Sequence, residues 1–141
     1  MTIPVIDSFS GKHRFLSNFW LTSIEYEGID YPSSEHAFQS AKTLDKNTRR
    51  RISKLKNPRE AKSAGRLLEI REDWEEVRLK VMEDILRIKF SDESLKEWLI
   101  ETGNAELIEG NYWGDVFWGV CRGIGENHLG QILMKIRSEL S

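Results

Sequence analysis

The sequence predicts a mostly helical α+β domain with a small β-hairpin and short strands. Three observations carry that reading. Six stretches show helical apolar spacing or open on a capping residue, and one short segment partly alternates apolar with polar before a tight turn. The length of 141 residues suits a single domain over residues 1–141. A chain of this size buries roughly two-thirds of its unfolded surface, so its core needs no disulfide or metal staple.

Residues 21–26 and 29–31 flank Glu27-Gly28, a pair suited to a hairpin turn. Pro32 is expected to stop the second strand, and Ser33 or Ser34 to cap a helix through about Leu44. A basic helix follows over residues 46–55. Asn57, Pro58 and Glu60 then supply a cap, an N1 proline and an N3 glutamate for a helix ending near Gly65. From Asp73 onward, Trp74, Val77, Val81 and Ile85 fall at steps of three and four, and Met82, Leu86 and Phe90 widen the stripe. Ser91-Asp92-Glu93 opens a further helix that Thr102-Gly103 closes. The last helix starts near Asn127 and sets Leu129, Ile132, Leu133, Ile136 and Leu140 on one face. Two irregular stretches remain, residues 9–19 and 110–125, and loops on a rigid scaffold are where function concentrates.

Composition excludes several classes. With 39% hydrophobic and 31% charged residues and only three prolines, the chain is not disordered. No apolar run approaches the roughly 18 residues of a membrane span, so no membrane partner is expected. The N-terminus has no basic-then-apolar leader, and Cys121 is the single cysteine, which rules out an internal disulfide framework and a cysteine-rich zinc site. A reducing, cytoplasmic location is the expectation. The net charge of −2 conceals an asymmetry: residues 42–71 hold eleven Lys/Arg against three acids, a net +8 that leaves −10 for the rest. Such a segment suits phosphate, from a nucleotide or a nucleic acid, or is simply a solvated helical face.

Four clusters can carry chemistry. Residues 15–20 form an aromatic-rich loop around Asn18, with Phe19 beside it. On a helix from Ser33 or Ser34, Glu35, Gln39 and Lys42 share a face, with His36 adjoining Glu35; a salt-bridged surface has the same spacing. Gly110 to Gly119 gathers Tyr112, Trp113, Asp115, Phe117 and Trp118, suited to stacking on a flat ring, although large aromatics also fill cores. Gly123, Gly125 and Asn127 precede a helix, a natural place for an anion, yet their spacing is not the dinucleotide fingerprint. Phosphate-loop, zinc-protease and nucleophile-elbow motifs are absent, and no histidine pair sits at ligand spacing. No metal and no cofactor is expected.

Taken together, the clusters resemble the NADAR superfamily of YbiA-like proteins. The likeness rests on Leu16-Ser17-Asn18-Phe19 and on Gly28-x-x-Tyr31-Pro32-Ser33-x-Glu35-His36-x-x-Gln39-x-x-Lys42. It continues through Trp74, Tyr112-Trp113-Gly114 and the run from Gly123 to Gly130. It implies a compact, mostly helical α+β domain that hydrolyses an N-glycosidic bond. Members are linked to ADP-ribose on guanine in nucleic acid and to phosphoribosylamino-pyrimidine intermediates of riboflavin synthesis. The likeness carries function onto Glu35, Trp74, Trp113 and Asp115.

Cleaving a ribose C1′–N bond passes through an oxocarbenium-like state, so negative charge is needed near C1′ and the departing base needs help. Glu35 and Asp115 are the expected catalytic pair: Glu35 to stabilise the cation and direct water, Asp115 to assist the base or grip ribose hydroxyls. Trp113, with Trp74 or Phe19, is expected to sandwich the base, and Asn18 to meet sugar or base edge. Lys42, Arg49 or Arg66 and the amides near Gly123 and Gly125 would hold phosphate. His36, Gln39 and Asn127 complete the expected substrate contacts. Two other readings stay open: a non-catalytic binder of ADP-ribose or a related nucleotide, and a nucleic-acid-binding module that uses residues 42–71. The expected partner is a small nucleotide-like substrate, or that substrate within ADP-ribosylated nucleic acid.

Overall fold

The computed structural model describes residues 2–141. In chain order the elements are β1 (Val5–Ile6), a 3₁₀ turn (Gly11–Leu16), β2 (Leu21–Tyr26), β3 (Ile29–Ser33), α1 (Ser34–Ser40), α2 (Lys46–Ser53), α3 (Pro58–Gly65) and α4 (Trp74–Lys89). There follow α5 (Glu93–Glu101), β4 (Glu106–Leu107), β5 (Gly110–Asn111), β6 (Val120–Cys121) and α6 (His128–Leu140). The chain divides into two compact units, residues 18–89 and residues 2–17 with 90–141. No described helix is long and apolar enough to cross a membrane.

In the unit of residues 18–89, β2 and β3 form the antiparallel hairpin that the sequence predicts. Glu27 and Gly28 both take positive φ (49° and 86°), the primed turn geometry that matches the twist of the strands. Pro32 does not end β3. The strand runs on to Ser33, and the pairing is irregular between Leu21 and Ile24, opposite the proline. There the missing proline N–H leaves no regular ladder bond to break. Helix α1 stops at Ser40, not near Leu44. The amides of Lys42 and Thr43 fold back on the carbonyls of Gln39 and Ser40, and this tight turn delivers Asp45 as the cap of α2. Asn57 caps α3 through the Glu60 amide at 2.9 Å, and Glu60 reaches back to the Lys56 amide, also at 2.9 Å. The stripe on α4 buries Trp74, Val81, Met82, Ile85 and Leu86.

The other unit is built on α5 and α6. Asp92 caps α5 through the Leu95 amide at 3.0 Å, and α6 buries Leu129, Ile132, Leu133 and Ile136. Arg137 donates to the Thr102 hydroxyl at 2.8 Å and so ties α6 to the end of α5. Two parallel pairs complete it, β1 with β4 and β5 with β6, each two residues long. Segments so short have no period to read, and the sequence did not announce them.

Helix α1 is anchored at both ends of one histidine. Ser33 Oγ accepts from the His36 amide at 3.1 Å and lies 2.6 Å from Nδ1, while Nε2 lies 3.1 Å from the Leu55 carbonyl. A carbonyl can only accept, so Nε2 carries the hydrogen and Nδ1 accepts from the Ser33 hydroxyl, which is the neutral tautomer. Burial holds this ring below the ordinary histidine value of 6.5. The unfolded chain therefore takes up a proton that the folded one refuses. This contribution to stability is present above pH 6.5 and is lost as pH falls through the depressed folded value. Urea denaturation from pH 7.5 to 5 should show wild type losing stability faster than His36→Gln, by at most about 1.4 kcal/mol per pH unit. Parallel curves would show that the ring is not linked to folding.

Candidate functional site

The start of α1 is fixed by the loop before the hairpin. The Asn18 carbonyl accepts from the Glu35 amide at 3.1 Å, and its side-chain Oδ1 accepts from the Ser34 hydroxyl at 2.9 Å. Its Nδ2 lies 3.6 Å from the Met82 sulfur. Asn18 is thus buried with its amide used inside the fold, and Phe19 beside it is half-buried. Helical spacing then sets Glu35, Phe38 and Gln39 along one side of α1. Glu35 is 8% exposed, and Gln39 Nε2 donates to its Oε2 at 2.6 Å. Phe38 packs on Trp74, the first residue of α4, with ring centres 5.2 Å apart, and the Lys42 ammonium sits 5.9 Å from the Phe38 ring. Trp74 is itself buried.

Charge gathers at this helix. The Lys42 ammonium is held below the usual lysine value, first by burial and then by Arg66 and Lys62, while Glu35 acts in the opposite sense. Lys62 and Arg66 are four residues apart across the end of α3, so they share a face. Glu35, Lys62 and Arg66 therefore each lie within electrostatic reach of Lys42. Arg49 is not among them, a correction to the expectation that it holds phosphate. It is buried, with Nη1 on Glu27 at 2.7 Å and Nε on the Thr43 carbonyl at 2.8 Å, where it locks α2 to the hairpin turn.

The remaining sequence-predicted residues belong to the other unit. Tyr112 and Trp113 are 85% and 53% exposed and meet edge to face at 5.2 Å. At 53% exposure Trp113 is no core residue. Asp115 organises this loop: its Oδ1 accepts from the Phe117 and Trp118 amides at 3.2 and 2.9 Å, and its own amide donates to Asn111 Oδ1 at 3.0 Å. Asn111 returns a bond to the Asp115 carbonyl at 2.8 Å and a second to the Glu109 carboxylate at 3.0 Å. Arg122 and Gly123 take positive φ in a tight turn closed by paired bonds between Cys121 and Ile124. Gly125 lies so close to Gly119 that a β-carbon on it would fall 2.1 Å from the Gly119 carbonyl.

The helix start after these glycines does not present its amides to an anion. Those of Asn127, His128 and Leu129 donate to the carbonyls of Gly119, Phe117 and Trp118. Asn127 spends its side chain on the Glu109 amide and the Leu107 carbonyl, at 3.0 and 2.9 Å. The first amides of α6 are therefore occupied within the fold, while Gly123 and Gly125 serve turn geometry and close packing.

Sequence reasoning missed four residues here. Lys62 lay inside the basic segment, and its spacing from Arg66 could have singled it out. Asn111 and Glu109 carried no signal, because their partners come from a loop whose course is tertiary. Gly65 was read as the end of a helix; its φ is not positive, and a β-carbon there would fall 1.8 Å from Gln39 Oε1.

Residues 7–141 match the NADAR domain. The chain is 36% identical to N-glycosidase YbiA of Escherichia coli over 144 aligned residues, covering 99% of this chain and 89% of that protein. It is 38% identical to a riboflavin biosynthesis protein of Vibrio vulnificus over 92% of this chain but only 36% of that longer protein. An N-glycosidase of Nostoc punctiforme is 31% identical, with 88% of this chain and 83% of that one aligned. The NMR structure of E. coli YbiA superposes with a TM-score of 0.87 over 99% of this chain and 86% of that one. The chain belongs to the NADAR family.

Proposed function

We propose that this protein is an N-glycosidase that hydrolyses the C1′–N bond of a ribosylated base bearing phosphate on the 5′ side of the ribose. The observation that carries the reading is the buried Glu35 carboxylate on α1, bonded by Gln39 and within electrostatic reach of Lys42. Relatives named N-glycosidases, and one named a riboflavin biosynthesis protein, support the reaction class.

The chemistry follows from those residues. As the C1′–N bond breaks, its electron pair leaves with the base nitrogen, which takes up a proton, and positive charge spreads over C1′ and the ring oxygen. The Glu35 carboxylate opposes that charge and accepts a proton from the water that adds to C1′. A ribosyl phosphate results, with the base either set free or restored within its strand. Lys42, Lys62 and Arg66 meet the phosphate and hold the sugar in place without taking part in bond breaking. Phosphate arriving beside Lys42 favours its charged form, offsetting the burial and like charges that disfavour it. In the other unit, taken by itself, Tyr112 and Trp113 offer an exposed aromatic surface suited to stacking on a flat ring.

Two substrates share the required end: a phosphoribosylamino-pyrimidine and ADP-ribose on guanine. The second gains from the exposed cations Arg50, Lys54 and Arg59, which would hold a nucleic-acid strand while the modified base is extruded. Mass spectrometry follows each cleavage: free pyrimidine and ribose 5-phosphate from the first substrate, ADP-ribose and the unmodified strand from the second. Steep inhibition by salt for the nucleic-acid substrate alone would favour strand holding.

Glu35→Gln should lower kcat by about a hundredfold or more with an unchanged circular dichroism spectrum; a variant that keeps most of its rate removes Glu35 from the chemistry. Replacing both Lys62 and Arg66 by alanine should raise KM about tenfold for the phosphorylated substrate and leave the dephosphorylated nucleoside unaffected. Equal effects on both would place the cations away from the phosphate. Trp113→Ala should weaken ligand binding about tenfold without lowering the melting temperature, whereas a lower melting temperature with unchanged binding would make it a structural residue.

A further inference from the structure

Gln39 has a problem that its neighbours solve only by half. It is 95% buried, and only its –NH₂ can bond the Glu35 carboxylate, so Nε2 must face Oε2 and Oε1 must face away. Oε1 then receives no hydrogen bond from the described residues. It points at Gly65, the last residue of α3, where a β-carbon would fall 1.8 Å from Oε1 and 2.7 Å from Cδ. Gly65 is buried and has no positive φ, so backbone conformation does not require glycine there. Glycine is also the poorer helix former at such a position. What glycine supplies is space, together with Cα–H groups, the weak donors that commonly meet carbonyl oxygens.

We propose that Gly65 and Gln39 form a positioning device for Glu35. The backbone of α3 at Gly65 is a seat for the Gln39 amide oxygen, the seat fixes which way the amide faces, and the outward –NH₂ fixes the Glu35 carboxylate. Gln39 is then a positioning residue and not a substrate contact. Any side chain at position 65 pushes the amide off its seat and loosens the hold of its –NH₂ on the Glu35 carboxylate. This rests on the reading of Glu35 as the reacting carboxylate.

The kinetic test uses four variants on the phosphorylated substrate: Gln39→Leu, Gly65→Ala, Gln39→Ala, and the double of Gln39→Ala with Gly65→Ala. Gln39→Leu keeps nearly the same volume without a donor, and should lower kcat about tenfold or more while KM stays within about twofold. Gly65→Ala should show the same split. In a Gln39→Ala background, Gly65→Ala should cost no further kcat, because the group it displaces is gone. Additive losses, a raised KM with unchanged kcat, or a lower melting temperature with intact kcat would each overturn the proposal. Side-chain amide NMR reads the seat without any turnover. In wild type one Gln39 amide proton should lie downfield and exchange slowly, and should become solvent-like in Gly65→Ala and in Glu35→Leu. A solvent-like amide in wild type overturns the seat whatever the activity. The downfield proton in a protein that cleaves neither substrate upholds the seat and rejects the assigned reaction.

Discussion

Helix α1 is buried along its whole length, although five of its seven residues are polar. Burying an unpaired polar group costs roughly 1–3 kcal/mol, and four of the five polar side chains make hydrogen bonds. Ser33 and Leu55 take the His36 ring, Asn18 takes Ser34 and the Glu35 amide, and Glu35 takes Gln39. Those bonds fix the hairpin end, the loop at Asn18, and the turn after α2 around one short helix. Much of the unit formed by residues 18–89 is arranged to let a carboxylate stand in a buried place.

The basic segment is sorted by the same demand. Arg71 is bidentate to Asp73, and Arg49 is paired with Glu27, so these two cations belong to the framework. Lys42 differs: burial, Arg66 and Lys62 disfavour its charged form while Glu35 favours it. An anion brought beside it offsets the terms that disfavour its charge. The +8 visible in the sequence therefore includes cations that brace the framework, and only contacts in the fold single them out.

Much of the architecture was legible because its signals are local. The caps at Asn57 and Asp92, the turn at Glu27-Gly28 and the stripe on α4 each depend on residues a few positions apart. Pro32 misled because a strand tolerates proline where its ladder is already irregular. The α1 face was legible from spacing, but the partners of its side chains were not: Asn18, Leu55 and Gly65 reach them from other elements. The glycines show the limit most clearly. At Gly123 a positive φ calls for glycine, at Gly65 room for a side chain from another helix does, and the letter in the sequence is the same.

On the proposed reading, reaction class and substrate choice rest on different residues. A carboxylate opposing charge at C1′ and cations meeting a 5′ phosphate are indifferent to which base departs, since every candidate substrate has the same atoms there. Discrimination must come from groups that meet the base. Tyr112 and Trp113 are suited to that, because their rings are exposed and held on a loop braced by Asn111 and Asp115. Stacking tolerates many bases, since every base has a π-face. Exchanging a few side chains in such a loop can therefore change the substrate without disturbing the buried polar helix, whose bonds leave little room for change.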